Sequence, residues 1–154
     1  MRHRILLVVT PFLLVAACSS STSPKVTTTT YVATMNAAKE VPAVIETGTG
    51  VATYVLDGTT ITYTILVTGL TGPATASHIH IAPTTASGPV IFPFTITATA
   101  NGSLATGTID LTKAITATIS GDSLKALFNN GAVYTNVHTA AHGGGEIRGQ
   151  ITKQ

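Results

Sequence analysis

Thr60-Ile61-Thr62-Tyr63-Thr64-Ile65-Leu66-Val67-Thr68 alternates threonine with apolar side chains, Leu66 being the one break in the pattern. In an extended chain successive side chains point to opposite sides, so Ile61, Tyr63, Ile65 and Val67 share one face and Thr60, Thr62, Thr64 and Thr68 the other. That period of two predicts a half-buried strand. Gly50 to Leu56 reads as its partner, and Asp57-Gly58 between them supplies the residue pair that tolerates the left-handed turn of a tight hairpin. The same reading carried outward predicts strands at Thr30 to Ala37, Ser77 to Ala82, Val90 to Thr97, Ser103 to Leu111, Ala114 to Ser120, Ala132 to Thr139 and Glu146 to Thr152. Short strands separated by turns, in a chain rich in Thr, Val and Ile with 9% charged residues, predict an all-β fold, an antiparallel β-sandwich or barrel. One short helix is predicted near 122–130, with Asp122 as its N-cap, Leu124, Leu127 and Phe128 on one face, and Asn130-Gly131 as its stop.

The first residues read differently. Arg2 and Arg4 precede an apolar run from Ile5 to Ala17 that closes with Val15-Ala16-Ala17-Cys18. A basic start, a short apolar stretch and small residues before the single cysteine resemble a lipoprotein signal. The run is too short to span a hydrocarbon core, which needs ~20 residues. Residues 1–17 are therefore expected to be a lipoprotein signal peptide, with Cys18 lipidated after cleavage. Residues 18–29, Ser/Thr-rich and without apolar periodicity, are expected to form a tether, leaving residues 30–154 as one folded domain.

Charge and cysteine content narrow the function. Of eight Lys and Arg, Arg2 and Arg4 leave with the signal, and the rest balance the six Asp and Glu. A near-neutral domain without a basic cluster argues against nucleic-acid binding, which displaces counterions with a basic stripe. With its one cysteine committed to lipid, the chain forms no internal disulfide, and its stability must come from core burial. No nucleophile elbow, P-loop, His-Glu-x-x-His or dinucleotide fingerprint occurs.

Several blocks resemble the CHRD domain family, first described in chordin and found in many bacterial exported proteins. Ala37-Ala38-Lys39-Glu40-Val41-Pro42 with Thr47-Gly48-Thr49-Gly50 is similar to the opening block. Gly69-Leu70 through Ala76-Ser77-His78-Ile79-His80, then Gly88-Pro89-Val90, is similar to the middle blocks. Asn130-Gly131-Ala132-Val133-Tyr134-Thr135-Asn136-Val137-His138-Thr139 and Gly144-Gly145-Glu146-Ile147-Arg148-Gly149-Gln150-Ile151 resemble the C-terminal blocks. Ala140-Ala141-His142-Gly143 departs from the Asn-Pro-Gly often found there. The resemblance spans roughly Tyr31 to Ile151 and implies a β-sandwich of immunoglobulin-like type. It implies no settled activity.

Strand parity places His78 and His80 on one face, and assigns Asn136 and His138, then Glu146 and Arg148, to the polar face of the late strands. If those strands are neighbours, His78, His80, Asn136, His138, Glu146 and Arg148 form a polar cluster, and His78, His80 and His138 could ligate copper or zinc. The competing reading is a structural network of hydrogen bonds. His78-Ile79-His80 is also similar to the copper strand of copper/zinc superoxide dismutases, but the remaining ligands and the disulfide of that family have no counterpart. The expectation is a lipid-anchored module of the cell envelope, non-catalytic, with binding or structural work, in the outer membrane where a host has two membranes. Its expected partners are the membrane, through the anchor, and an envelope protein. The alternative is a copper or zinc protein or metalloenzyme using the three histidines.

Overall fold

The computed structural model describes residues 27–154. The expected signal peptide, Cys18 and most of the expected tether lie outside the described residues. Among the described residues, no helix is long and apolar enough to cross a membrane.

The chain is mostly β and antiparallel, with one short helix. The strands are β1 (Thr29–Asn36), β2 (Thr49–Asp57), β3 (Thr60–Thr68), β4 (Ala74–Ile81), β5 (Val90–Pro93), β6 (Gly102–Asp110), β7 (Val133–Thr139), β8 (Ile147–Gln150) and β9 (Thr152–Lys153), and helix α1 is Gly121–Asn129. All join one sheet in the order β5-β4-β7-β8-β1-β2-β3-β6, with β9 beside β1. The sheet curls into a half-barrel: the expected antiparallel, mostly β fold is present, but its strands form one sheet rather than the two of an immunoglobulin-like sandwich. The irregular residues after β5 spread across the open side. Phe94 N–H donates to the Ser77 carbonyl of β4, and Thr97 N–H donates to the Leu104 carbonyl of β6. Across that seam Tyr63 of β3 meets Phe94, with ring centroids 4.9 Å apart.

Burial follows the alternation of β3. Ile61 and Ile65 are fully buried while Thr62 and Thr64 are exposed. The β2–β3 turn is displaced by one residue from the expected Asp57-Gly58. Asp57 pairs with Thr60, leaving Gly58-Thr59 as the loop, and Gly58 takes φ 57°, which a residue with a Cβ adopts at a cost. Ala114 to Ser120 is not a strand. Thr116 Oγ1 accepts the N–H groups of Thr118 and Ile119 at 3.2 and 3.0 Å, and such local side-chain bonds compete with a ladder. The helix begins earlier than expected, with Ser120 rather than Asp122 as N-cap, its side chain accepting from Ser123 N–H. Phe128 then enters the end of the barrel and meets Tyr31 and Tyr54 edge-on, at centroid distances of 5.3 and 5.2 Å.

Candidate metal centre

β4 and β7 are antiparallel neighbours, with Ala76 opposite His138, His78 opposite Asn136 and His80 opposite Tyr134. Because Ile79, Val133 and Val137 are buried in the barrel core, the alternate residues face outward. That face is not open to water throughout: Tyr134, Asn136 and Arg148 are each no more than 2% exposed. The cover is the chain that joins β4 to β5. Arg148 donates from its two terminal nitrogens to the carbonyls of Ala86 and Pro83 at 3.0 and 2.8 Å. Gln150 Nε2 donates to the Ala82 carbonyl at 2.9 Å, and Ser87 Oγ donates to the Val41 carbonyl at 2.8 Å.

Under the edge of this cover His78, His80 and His138 converge, one ring nitrogen of each lying within 4.8 Å of the others. His78 Nδ1 and His138 Nε2 are 3.1 Å apart, and His138 Nε2 is also 3.1 Å from Asn136 Oδ1. The far sides of two rings are held by the main chain: His80 Nδ1 lies 2.8 Å from the Gly88 carbonyl, and His138 Nδ1 lies 3.0 Å from the Gly143 carbonyl. A carbonyl only accepts, so both Nδ1 atoms carry the proton and both Nε2 atoms present lone pairs. His80 Nε2 is buried without a hydrogen-bond partner. Burial also holds all three imidazoles below their ordinary pKa. His78 is lowered to about 4, by burial first and then by the neighbouring His138 and His80. His80 is lowered by burial first, against the raising effects of the Gly88 carbonyl and the Asn136 side chain, and His138 by burial against that of the Gly143 carbonyl. At neutral pH the trio is uncharged, the form in which imidazole binds metals.

The other expected members of the cluster are distributed differently. Asn136 joins the histidines. Arg148 shares their face but stacks on Tyr134, its guanidinium carbon 3.4 Å from the ring centroid. Glu146 leaves the group. Its carboxylate accepts from Thr71 N–H at 2.8 Å, Thr71 Oγ1 at 2.6 Å and Thr139 Oγ1 at 2.6 Å. Parity fails there because β8 begins only at Ile147, and Gly145, at φ 127°, turns the chain just before Glu146. Burial alone would raise the Glu146 pKa, but hydrogen bonds from Thr139 and Thr71 hold it below the usual carboxylate range.

Two residues of the surroundings were absent from the expected cluster. Tyr134 carried a signal, the same parity as Asn136 and His138. Glu40 carried none as a site residue, since it lies beyond β1 and reaches the covered face only through the fold. It is 6% exposed, and burial pushes its carboxyl up to about 7 against the lowering effects of Arg148, the Val41 amide and Asn136. A groove of about 650 Å³ on this side is lined by Lys39, Glu40, Thr84, Arg148 and Gln150, among others, and by none of the three histidines.

The family model described as CHRD domain matches residues 31–151. No curated protein and no solved structure matches the chain.

Proposed function

The chain belongs to the CHRD domain family, and from that premise we propose that it is an exported, lipid-anchored envelope module that binds a divalent transition metal, copper or zinc, through His78, His80 and His138. The observation that carries the metal reading is the state of His80: its Nδ1 is fixed on the Gly88 carbonyl while its buried Nε2 has no partner. An unsatisfied buried polar atom costs ~1–3 kcal/mol, and a cation bound on that lone pair would offset the cost. The 3.1 Å approach of His138 Nε2 to Asn136 Oδ1 sets a second lone pair against a carbonyl oxygen, a repulsion that a cation drawing on the imidazole lone pair relieves. Carbonyls holding the far nitrogens of ligating histidines are the usual supporting shell of such sites. Three imidazoles suit zinc and copper rather than calcium or magnesium.

Loading the purified domain with zinc or copper, dialysing it and measuring the retained metal tests this. A single ion per chain is expected, with loss in His80→Ala. No retained metal, or retention unchanged by that substitution, overturns it.

The anchor reading is supported by Arg2, Arg4 and the Val15-Ala16-Ala17-Cys18 run. Wild-type protein should sediment with membranes and Cys18→Ser should not. Mass spectrometry showing an unmodified Cys18 overturns that part.

A further inference from the structure

The trio leaves charge unbalanced and one side uncovered, and these point to a second ligand. All nearby donors are neutral: three imidazoles and the carboxamide of Asn136. No carboxylate among the described residues hydrogen-bonds to the three histidines. Glu146 has both oxygens taken by Thr71 and Thr139. A divalent ion held there keeps its full double charge. The Arg148 guanidinium two strands away is opposed by the Glu40 carboxyl, which it holds lower than burial alone would, so neither removes the ion's charge. Charge left uncompensated in a partly buried place is costly, and an anion is its simplest remedy.

The uncovered side is set by the strands. The histidines come from two adjacent strands of one face, so their nitrogens approach an ion from the sheet side. His80 and Asn136 form the inner wall, at 9% and 2% exposed, whereas His78 and His138 are only partly buried. The Gly88 and Gly143 carbonyls hold two of the rings from behind, so these cannot swing outward to close the far side. Three protein ligands and an open position are the pattern of metal sites that exchange a ligand.

We infer that the metal bound by His78, His80 and His138 keeps an exchangeable position facing solvent, and that this position takes a small anion, a free one or a carboxylate presented by a partner. This rests on the metal reading above. The test uses the copper(II)-loaded protein titrated with azide and followed by its absorption and electron paramagnetic resonance spectra. The expected result is a new azide-to-copper charge-transfer band that saturates along a single binding curve and is displaced by acetate, with the copper still on the protein after desalting. Displacement by acetate but not by a carboxylate-bearing peptide assigns the position to free anions, and displacement by both admits a partner's side chain. Copper retained without any azide-dependent spectral change overturns this inference and leaves the metal reading standing. Copper stripped by azide overturns it too. Failure to load copper or zinc at all is the separate failure of the metal reading.

Discussion

His80 and Tyr134 stack face to face, with ring centroids 4.8 Å apart and planes 9° from parallel. Arg148 lies over the same tyrosine ring. His80 is on β4 and Arg148 on β8, the two strands that flank β7, so one stack crosses three strands and ends on a candidate ligand. The orientation of that imidazole is therefore set partly by a guanidinium two strands away, whose charge also helps to lower the His80 pKa.

Replacing the tyrosine separates packing from hydrogen bonding. Tyr134→Phe keeps the stack and loses only the long 3.4 Å bond from Gly88 N–H, so metal affinity should change less than about threefold. Tyr134→Leu removes the stack, and affinity should fall ~10-fold, as for other supporting residues of metal sites. Isothermal titration with zinc reads both, and equal affinities would show that the carbonyls alone orient His80.

Arg148→Lys keeps a positive charge but loses the planar fork that reaches Pro83 and Ala86 together. With a charged hydrogen bond worth ~1.5–3 kcal/mol, urea unfolding should show a loss of about 2–4 kcal/mol. A variant as stable as the wild type would mean that the covering chain holds itself in place.

The strands and their inward faces were legible because period two is a local property: Ile65, Val133, Val137 and Ile147 are each 0% exposed. The grouping of His78, His80, His138 and Asn136 followed from parity together with strand adjacency. Glu146 was misassigned because parity does not extend past a strand end. Ala114 to Ser120 was misread because its threonines satisfy the backbone locally. The cover over Tyr134 and Arg148 left no pattern at all, since it is made by contacts between β8 and a loop more than sixty residues earlier.

Two glycines in the loop before β8 should behave oppositely. Gly145 sits at φ 127°, and a Cβ there would collide with the Glu40 carboxyl. A Cβ on Gly143 meets nothing within 4 Å. Gly145→Ala should cost on the order of 2–4 kcal/mol and Gly143→Ala less than ~0.5 kcal/mol, by thermal or urea unfolding. Comparable losses would place the strain elsewhere in the loop.

Glu40 should leave its mark on the pH dependence of stability. Its carboxyl titrates near pH 7 in the folded protein against an ordinary value of 4.5, so between these values the native state holds a proton that the unfolded state has released. Its contribution is fully present below pH 4.5 and is lost as pH rises through 7. The histidines act in the opposite direction below pH 6.5, taking protons more readily when unfolded. Comparing Glu40→Gln with wild type isolates the first effect: the variant should gain on the order of 2 kcal/mol relative to wild type between pH 4.5 and 8. A difference independent of pH would show that Glu40 is ionised throughout.

The core should be sharply graded. Phe128, 0% exposed and wedged between Tyr31 and Tyr54, should cost ~3–5 kcal/mol when truncated to Ala. Thr64→Ala, on the exposed side of β3, should stay within about 0.5 kcal/mol.

The position of β1 has a mechanical consequence. The strand that follows the proposed tether lies inside the sheet, paired with β2 from Thr29↔Leu56 to Asn36↔Thr49 and flanked by β8 and β9 on its other side. Tension applied to Thr29 along the strand axis would act across hydrogen bonds that lie perpendicular to it. It must shear the whole ladder at once rather than peel it bond by bond. Resistance to such pulling is governed by the unfolding rate rather than by equilibrium stability, so a domain held by the proposed tether would resist drag according to its unfolding barrier.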